Sequence, residues 1–167
     1  MKKELILMRH GKSDWSKRLS DFQRPIKKRG FKESARIGRW LGEQNLVPDL
    51  IISSPAMRAR ETAETVAENM DYDSENIFWN DPVYMADVND LLDTIATTSE
   101  ECQRLMLVGH NPGMEDLLFY LNEDVEVPED GKIMPTSTIA LLETESTWNE
   151  LEDDSCTTKI IVRGRYL

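Results

Sequence analysis

The sequence predicts an α/β fold, a three-layer α/β/α arrangement with a mostly parallel central sheet and helices on both faces. Three observations lead there. Short apolar runs at residues 4–8 (ELILM), 49–53 (DLIIS) and 104–108 (RLMLV) have the length of strands. These runs are apolar nearly throughout, as expected of strands covered on both sides. Segments with helical spacing of apolar residues separate them, and strand–helix alternation favours parallel pairing.

Each element has its own warrant. Residues 4–8 form a strand that runs into Arg9-His10-Gly11, and residues 12–25 are polar and basic, hence a loop or short helix. Residues 27–44 read as a helix with Phe31, Ala35, Trp40 and Leu41 among its apolar positions and Pro48 just beyond its end. After the strand at 49–53, Ser54 suits an N-cap and Pro55 the first turn of a helix reaching about Met70. Its inner stripe would be Thr62, Ala63, Val66, Ala67 and Met70. Residues 76–79 are expected to form a short strand, and residues 88–98 a helix with Leu91, Leu92 and Ile95 facing inward. The strand at 104–108 ends in the turn Gly109-His110-Asn111-Pro112-Gly113, followed by a helix over 114–121. Residues 122–135 are acidic and contain Pro and Gly, so they read as a solubilising loop. Candidate strands at 137–143, 148–151 and 159–163 complete the chain.

Composition narrows the function classes. The 167 residues fit one domain spanning 1–167, and 40% hydrophobic residues suffice for a core. No apolar run approaches the roughly 20 residues that cross a bilayer, and residues 5–8 are too short for a signal segment. Two well-separated cysteines, Cys102 and Cys156, suggest a reduced, cytoplasmic setting. With two histidines and two cysteines, no zinc spacing is matched, and no metal or other cofactor is expected. The oligomeric state is open, and a monomer is compatible with the sequence. The net charge of −11 is unevenly spread. Residues 1–40 carry 13 basic and 4 acidic side chains, a net of +9, while the rest carry 7 basic and 27 acidic, a net of −20. The acidic remainder and the absence of a recognisable module argue against nucleic acid. A small or local anion can still be held by a focused positive pocket.

Ligands of such sheets bind at the carboxyl ends of the strands. Three apolar runs end there in polar residues, Arg9-His10-Gly11, then Ser54 to Arg58, then Gly109-His110-Asn111. Both histidines of the chain therefore fall just past a strand at one sheet edge, together with Arg9 and Arg58. A neutral imidazole is a competent nucleophile that forms covalent intermediates. Guanidinium groups match phosphate oxygens, and neighbouring cations keep an imidazole unprotonated. Taken singly, each residue has an ordinary reading: a capping histidine, an ion-paired Arg9, or Arg58 and Arg60 on a solvated helix face with Glu61 and Glu64. The convergence of four such groups favours phosphoryl chemistry.

At this point the motifs resemble a known family. Leu7-Met8-Arg9-His10-Gly11 resembles the RHG signature of the histidine phosphatase superfamily, which includes the phosphoglycerate mutases. Residues 53–63 (SSPAMRARETA) resemble its second element, and Val108-Gly109-His110 its third, in the same order. Arg9 to Trp15, Arg24-Pro25 before Gly30, Gly109 to Gly113 and Met134 to Ser137 are similar to the SixA-type phosphohistidine phosphatases. The resemblance implies a phosphoglycerate mutase-like fold. It implies His10 as a transiently phosphorylated nucleophile, with Arg9, Arg58 and His110 binding the phosphoryl group and no metal. Gly11, Arg24 and Asn111 are the further substrate-binding candidates. The implied partner is a phosphorylated substrate, including a phosphohistidine-bearing protein domain.

Two departures stand out. Ser16 replaces the Asn common in mutase-type members, and Ile26-Lys27 replaces the usual Leu-Thr after Arg-Pro. The proton donor found in mutase and acid-phosphatase members has no clear counterpart. Asp87 and Asp90 are candidates, but they equally suit the N-cap and first turn of the helix that follows. A phosphate ester leaves as a poor alkoxide and needs such an acid, whereas the labile P–N bond of phosphohistidine depends on it less. Two alternatives stay open, a small-molecule phosphomonoesterase on the same scaffold and a non-catalytic phosphate-binding module.

Overall fold

A computed structural model describes residues 2–167. Six strands form one sheet in the order β3-β2-β4-β1-β5-β6, where β1 is Lys3–Arg9, β2 Leu50–Ser53, β3 Phe78–Trp79, β4 Arg104–Gly109, β5 Thr138–Thr144 and β6 Thr157–Arg163. The β3-β2, β2-β4 and β4-β1 pairings are parallel, and β1-β5 and β5-β6 are antiparallel. The expected α/β architecture with a mostly parallel sheet is therefore present, extended on one side by a C-terminal hairpin.

Alternation along each strand divides the core into two layers. Leu5 and Leu7 of β1, Ile52 of β2, Leu105 and Leu107 of β4, and Ala140 and Leu142 of β5 point to one face. There they meet Leu91 and Ile95 of α3 (Val88–Ala96) and Met114, Leu117 and Leu121 of α4 (Gly113–Leu121). Ile6, Met8, Ile51, Met106, Val108, Ile139 and Leu141 point to the other face, against Ile37 and Leu41 of α1 (Lys28–Glu43) and Ala59, Ala63, Val66 and Ala67 of α2 (Met57–Glu68).

Three local expectations are corrected. The buried face of α1 is Gly30, Glu33, Ser34, Ile37, Gly38 and Leu41, while Phe31 is exposed and Ala35 and Trp40 are half-buried. The reason is close helix packing. A Cβ on Gly38 would stand 2.5 Å from the Val66 carbonyl oxygen of α2, so α1 presents small residues toward α2. Second, α2 starts at Met57 with Ala56 as its N-cap, and no side chain caps it. The Ser54 hydroxyl instead accepts the Ala56 N–H at 3.2 Å and meets His110. Third, residues 148–150 form a 3₁₀ turn rather than a strand, with Trp148 buried and its Nε1–H donating to the Cys102 carbonyl at 2.8 Å.

One register positions the site. In the β1-β4 pairing Arg9 lies opposite Gly109, so His10 and His110 are the next residues along two adjacent parallel strands. The His10 N–H still donates to the Gly109 carbonyl at 3.1 Å, which continues the ladder past the strand ends.

Candidate active site

His10 and His110 leave the sheet side by side, with ring centroids 5.2 Å apart and planes tilted by 54°. His10 is buried, at 7% exposure. Its Nδ1 lies 2.7 Å from the Gly11 carbonyl oxygen. A carbonyl can only accept, so Nδ1 carries the proton and Nε2 keeps a free lone pair. Burial, then the neighbouring His110, Arg58 and Arg9, lower the His10 pKa to about 3, so its ring is neutral at neutral pH.

The backbone around His10 is held on both sides. The Ser137 N–H donates to the His10 carbonyl at 3.1 Å, and Ser137 itself is fully buried with a left-handed φ of 55°. The Gly11 N–H donates to the Thr62 hydroxyl at 2.9 Å, and that hydroxyl donates to the Arg58 carbonyl at 2.7 Å, tying the His10 loop to α2. Gly11 packs closely: a Cβ there would stand 3.1 Å from Gly30 of α1, a tight contact.

The Nε2 of His110 lies 2.7 Å from the Ser54 hydroxyl, and its Nδ1 is buried with no partner among the described residues. Burial and the Arg58 charge lower its pKa to about 4. Arg9 donates from Nη1 to the Met134 carbonyl at 3.2 Å, while its Nε is buried without a partner. Burial, offset by the Glu115 charge, lowers the Arg9 pKa from its ordinary value. Arg58 is also buried, and its guanidinium faces the loop between β1 and α1.

That loop supplies residues that sequence reasoning missed. Asp21 accepts from Tyr84 Oη at 2.7 Å, from Arg24 Nη1 at 2.9 Å and from Arg58 Nη2 at 3.0 Å. The Tyr84 phenol, then Arg58 and Arg24, hold its carboxyl down to about 2, against the cost of desolvation. Tyr84 packs edge-on to His110 with centroids 5.6 Å apart and to Phe22 at 5.1 Å. Arg24 is stacked over Trp15, with its guanidinium carbon 3.5 Å from the ring centroid. The loop is pinned where the sequence departs from its resemblance. Ser13 bridges Ile26, and the Ile26 N–H donates to Glu61 of α2 at 3.0 Å.

The structure thus brings together Arg9, His10, Gly11, Arg58 and His110, with Arg24 joined to them through Asp21. Asn111 sits at the edge rather than the centre, its amide nitrogen donating to Glu115 at 2.7 Å and to the Met134 carbonyl at 3.1 Å. Asp87 and Asp90 have the ordinary reading. They form a reciprocal capping box at the start of α3, each carboxylate accepting the other's backbone N–H. Arg60, expected on a solvated face, lies over the Trp79 ring at 4.4 Å. The loop at 122–135 does more than solubilise, because its Met134 carbonyl receives both Arg9 and Asn111. A signal for Asp21 and Tyr84 was absent from the sequence, since neither belongs to a periodic segment and their meeting spans 63 positions.

The arrangement pairs a neutral imidazole with the buried guanidinium of Arg58, the half-buried one of Arg9 and an imidazole nitrogen with no partner among the described residues, a donor set suited to a tetrahedral oxyanion. Comparison with known proteins places the chain among relatives. The family model described as "Histidine phosphatase superfamily (branch 1)" matches residues 5–78. The uncharacterized protein Rv1276c of Mycobacterium tuberculosis is 30% identical over 152 residues, covering 87% of this chain and 92% of that one. The structure of a putative phosphohistidine phosphatase SixA from Agrobacterium tumefaciens superposes with a TM-score of 0.77 at 30% identity, covering 96% of this chain and 97% of that one. A putative SixA from Nakamurella multipartitia shares the fold with a TM-score of 0.84 at 20% identity over 98% of this chain and 96% of that one.

Proposed function

The chain belongs to the histidine phosphatase superfamily and is a phosphatase, and on that premise we propose that it acts through a covalent phosphohistidine on His10 and takes protein phosphohistidine as its substrate. The observation that carries the first part is the commitment of His10 Nδ1 to the Gly11 carbonyl, which leaves Nε2 as the nucleophile. Nε2 attacks phosphorus while the bond to the leaving group breaks, and the leaving atom keeps the electron pair and takes a proton. Water then attacks the phosphoenzyme, the P–N bond to His10 breaks, and orthophosphate departs. Arg9, Arg58 and the Nδ1–H of His110 face the equatorial oxygens and balance their charge in the transition state. A Ser54 hydroxyl donating to His110 Nε2, 2.7 Å away, would hold the ring in the tautomer with its proton on Nδ1. Gly11 supports the ring of His10 through its carbonyl, and Asn111 orients Glu115 and the Met134 carbonyl at the rim.

The state of Asp21 supports the phosphohistidine substrate. Three donors hold this carboxyl ionised, so it cannot protonate a leaving alkoxide at neutral pH. Asp87 and Asp90 are engaged with each other's backbone at the surface. An imidazole leaving group takes its proton from solvent readily, so its departure needs no acid from the protein. Similarity to the putative phosphohistidine phosphatase of Agrobacterium tumefaciens points the same way.

The test is a comparison of kcat/KM for a phosphohistidine-bearing protein domain against a panel of sugar phosphates, with EDTA present and His10→Ala as control. The expected result is preference for the phosphohistidine domain and loss of all turnover in His10→Ala. A sugar phosphate turned over more efficiently than the phosphoprotein would reverse the substrate assignment. Near-normal activity in His10→Ala would remove the nucleophile.

A further inference from the structure

Beside Arg9, outside the histidine pair, lies a cleft of about 420 Å³. We propose that it is a second anion-binding subsite, which receives a phosphate or carboxylate group carried by the substrate next to the group being hydrolysed. The inference rests on the phosphatase reading and extends it to the substrate's second charge.

The lining is the first observation. Arg9, Lys12, Arg29, Lys132, Arg163 and Arg165 all border the cleft, against two carboxylates, Glu115 and Asp130. Residues 41–167 contain only seven basic side chains among 27 acidic ones, yet three of those seven, Lys132, Arg163 and Arg165, meet here. A scattered surface distribution would not gather them opposite the basic N-terminal quarter.

The pairing within the cleft is the second observation. Asp130 is matched to Arg163, with oxygens 2.8 and 3.1 Å from its two terminal nitrogens. Glu115 is engaged by the Asn111 amide at 2.7 Å. Arg29 is matched to Glu33 at 3.2 Å. Among the described residues, the ammonium groups of Lys12 and Lys132 and the guanidinium of Arg165 form no ion pair with a carboxylate. The cleft therefore keeps three cations in excess after its internal pairs are formed.

Continuity with the phosphoryl site is the third. Arg9 belongs to both, and its Nε is buried without a partner among the described residues. A ligand with one anionic group between Arg9 and Arg58 can place a second on the Lys12, Lys132 and Arg165 side. The group is recognised by charge and by guanidinium geometry. A polyanionic small molecule or an acidic side chain beside a phosphohistidine would present the same chemistry.

The experiment compares binding of orthophosphate, pyrophosphate and tripolyphosphate at 0.15 M salt by calorimetry. The wild-type protein is expected to bind the longer anions about tenfold or more tightly than orthophosphate, the gain of one charge-assisted hydrogen bond. In Lys132→Ala/Arg165→Ala, both exposed positions, that ratio falls toward one, while Lys159→Ala, a loss of charge on β6, leaves the ratio in place. Equal binding of all three anions by the wild-type protein, or an equal fall in Lys159→Ala, would overturn the subsite. Binding does not depend on turnover, so a protein that binds the longer anions tightly but hydrolyses nothing would count against the phosphatase reading alone. Turnover of a phosphohistidine domain and of a sugar bisphosphate by the double variant then separates the sources: the substrate whose KM rises is the one that supplies the second charge.

Discussion

Asp21 grips Arg58 twice, through its carboxylate at 3.0 Å and through its own backbone carbonyl. The same carboxylate also receives Tyr84 and Arg24, so one exposed acid organises three donors beside the candidate active site. Its negative charge opposes an incoming phosphate while its geometry aims Arg58. Asp21→Asn separates the two effects. Orthophosphate is expected to inhibit the variant about threefold or more tightly, a modest gain because the site is partly solvated. Turnover should fall because Arg58 loses its brace. Weaker inhibition together with lower turnover would show that Asp21 acts as scaffold alone.

With pKa values lowered to about 3 and about 4, His10 and His110 are expected to set the acid side of the activity profile. An imidazole with the ordinary value of 6.5 would protonate between pH 7 and 5. Here kcat/KM, which reports the free enzyme, should hold through that interval once substrate ionisation is corrected for, and decline only toward pH 4. A half-maximal point near pH 6.5 would contradict the neutral nucleophile.

Stability has the same origin and a definite sign. Both histidines titrate lower in the folded protein than in the unfolded chain, so the unfolded state binds more protons below about pH 6.5. Their contribution is therefore complete above that pH and is lost as pH falls toward 4 and 3. Denaturant unfolding at pH 7, 6 and 5 should show falling stability, and the slope should shrink in His10→Gln.

Ser54→Ala removes the hydroxyl 2.7 Å from His110 Nε2. The imidazole is then free to change tautomer or rotate, and the transition state loses an aimed donor. About a tenfold fall in kcat with KM little changed is expected for a lost positioning hydrogen bond. A variant with unaltered kcat would show that His110 is oriented by packing against Tyr84.

Gly38→Ala tests the close approach of α1 and α2. The added Cβ would stand 2.5 Å from the Val66 carbonyl oxygen and 2.8 Å from the Asn69 Cβ, so α1 and α2 must shift apart to admit it. A loss of about 1–3 kcal/mol is expected, the usual cost of overpacking, visible as a lower midpoint of denaturant unfolding. An unchanged midpoint would mean that the two helices can separate slightly without penalty.

The strands and the two histidines were legible because buried parallel strands are apolar throughout and end abruptly at polar residues, as ELILM does at Arg9 and RLMLV does at Gly109. The buried face of α1 was not legible from its apolar positions, because tight packing against α2 selects the small residues Gly30, Ser34 and Gly38. Ser54 was read as a cap because local preference favours one after a strand, while a histidine 56 positions away claims its hydroxyl. Asp21 and Tyr84 lay beyond reach for a related reason. Their meeting depends on how the loop at 12–25 folds back, and nothing in its polar composition encodes that path.

The pairing of Arg9 with Gly109 makes the sheet a caliper for the chemistry. Parallel neighbours are about 4.8 Å apart, and the 5.2 Å between the two rings follows that spacing. The histidines are thus gauged by hydrogen-bonded backbone, and the long stretch of chain between them has no part in the measurement. Residues added to the connecting segments leave the gap intact. A single residue added within β1 or β4 turns one imidazole to the opposite face of the sheet, so the length of two short strands is the dimension this enzyme cannot vary.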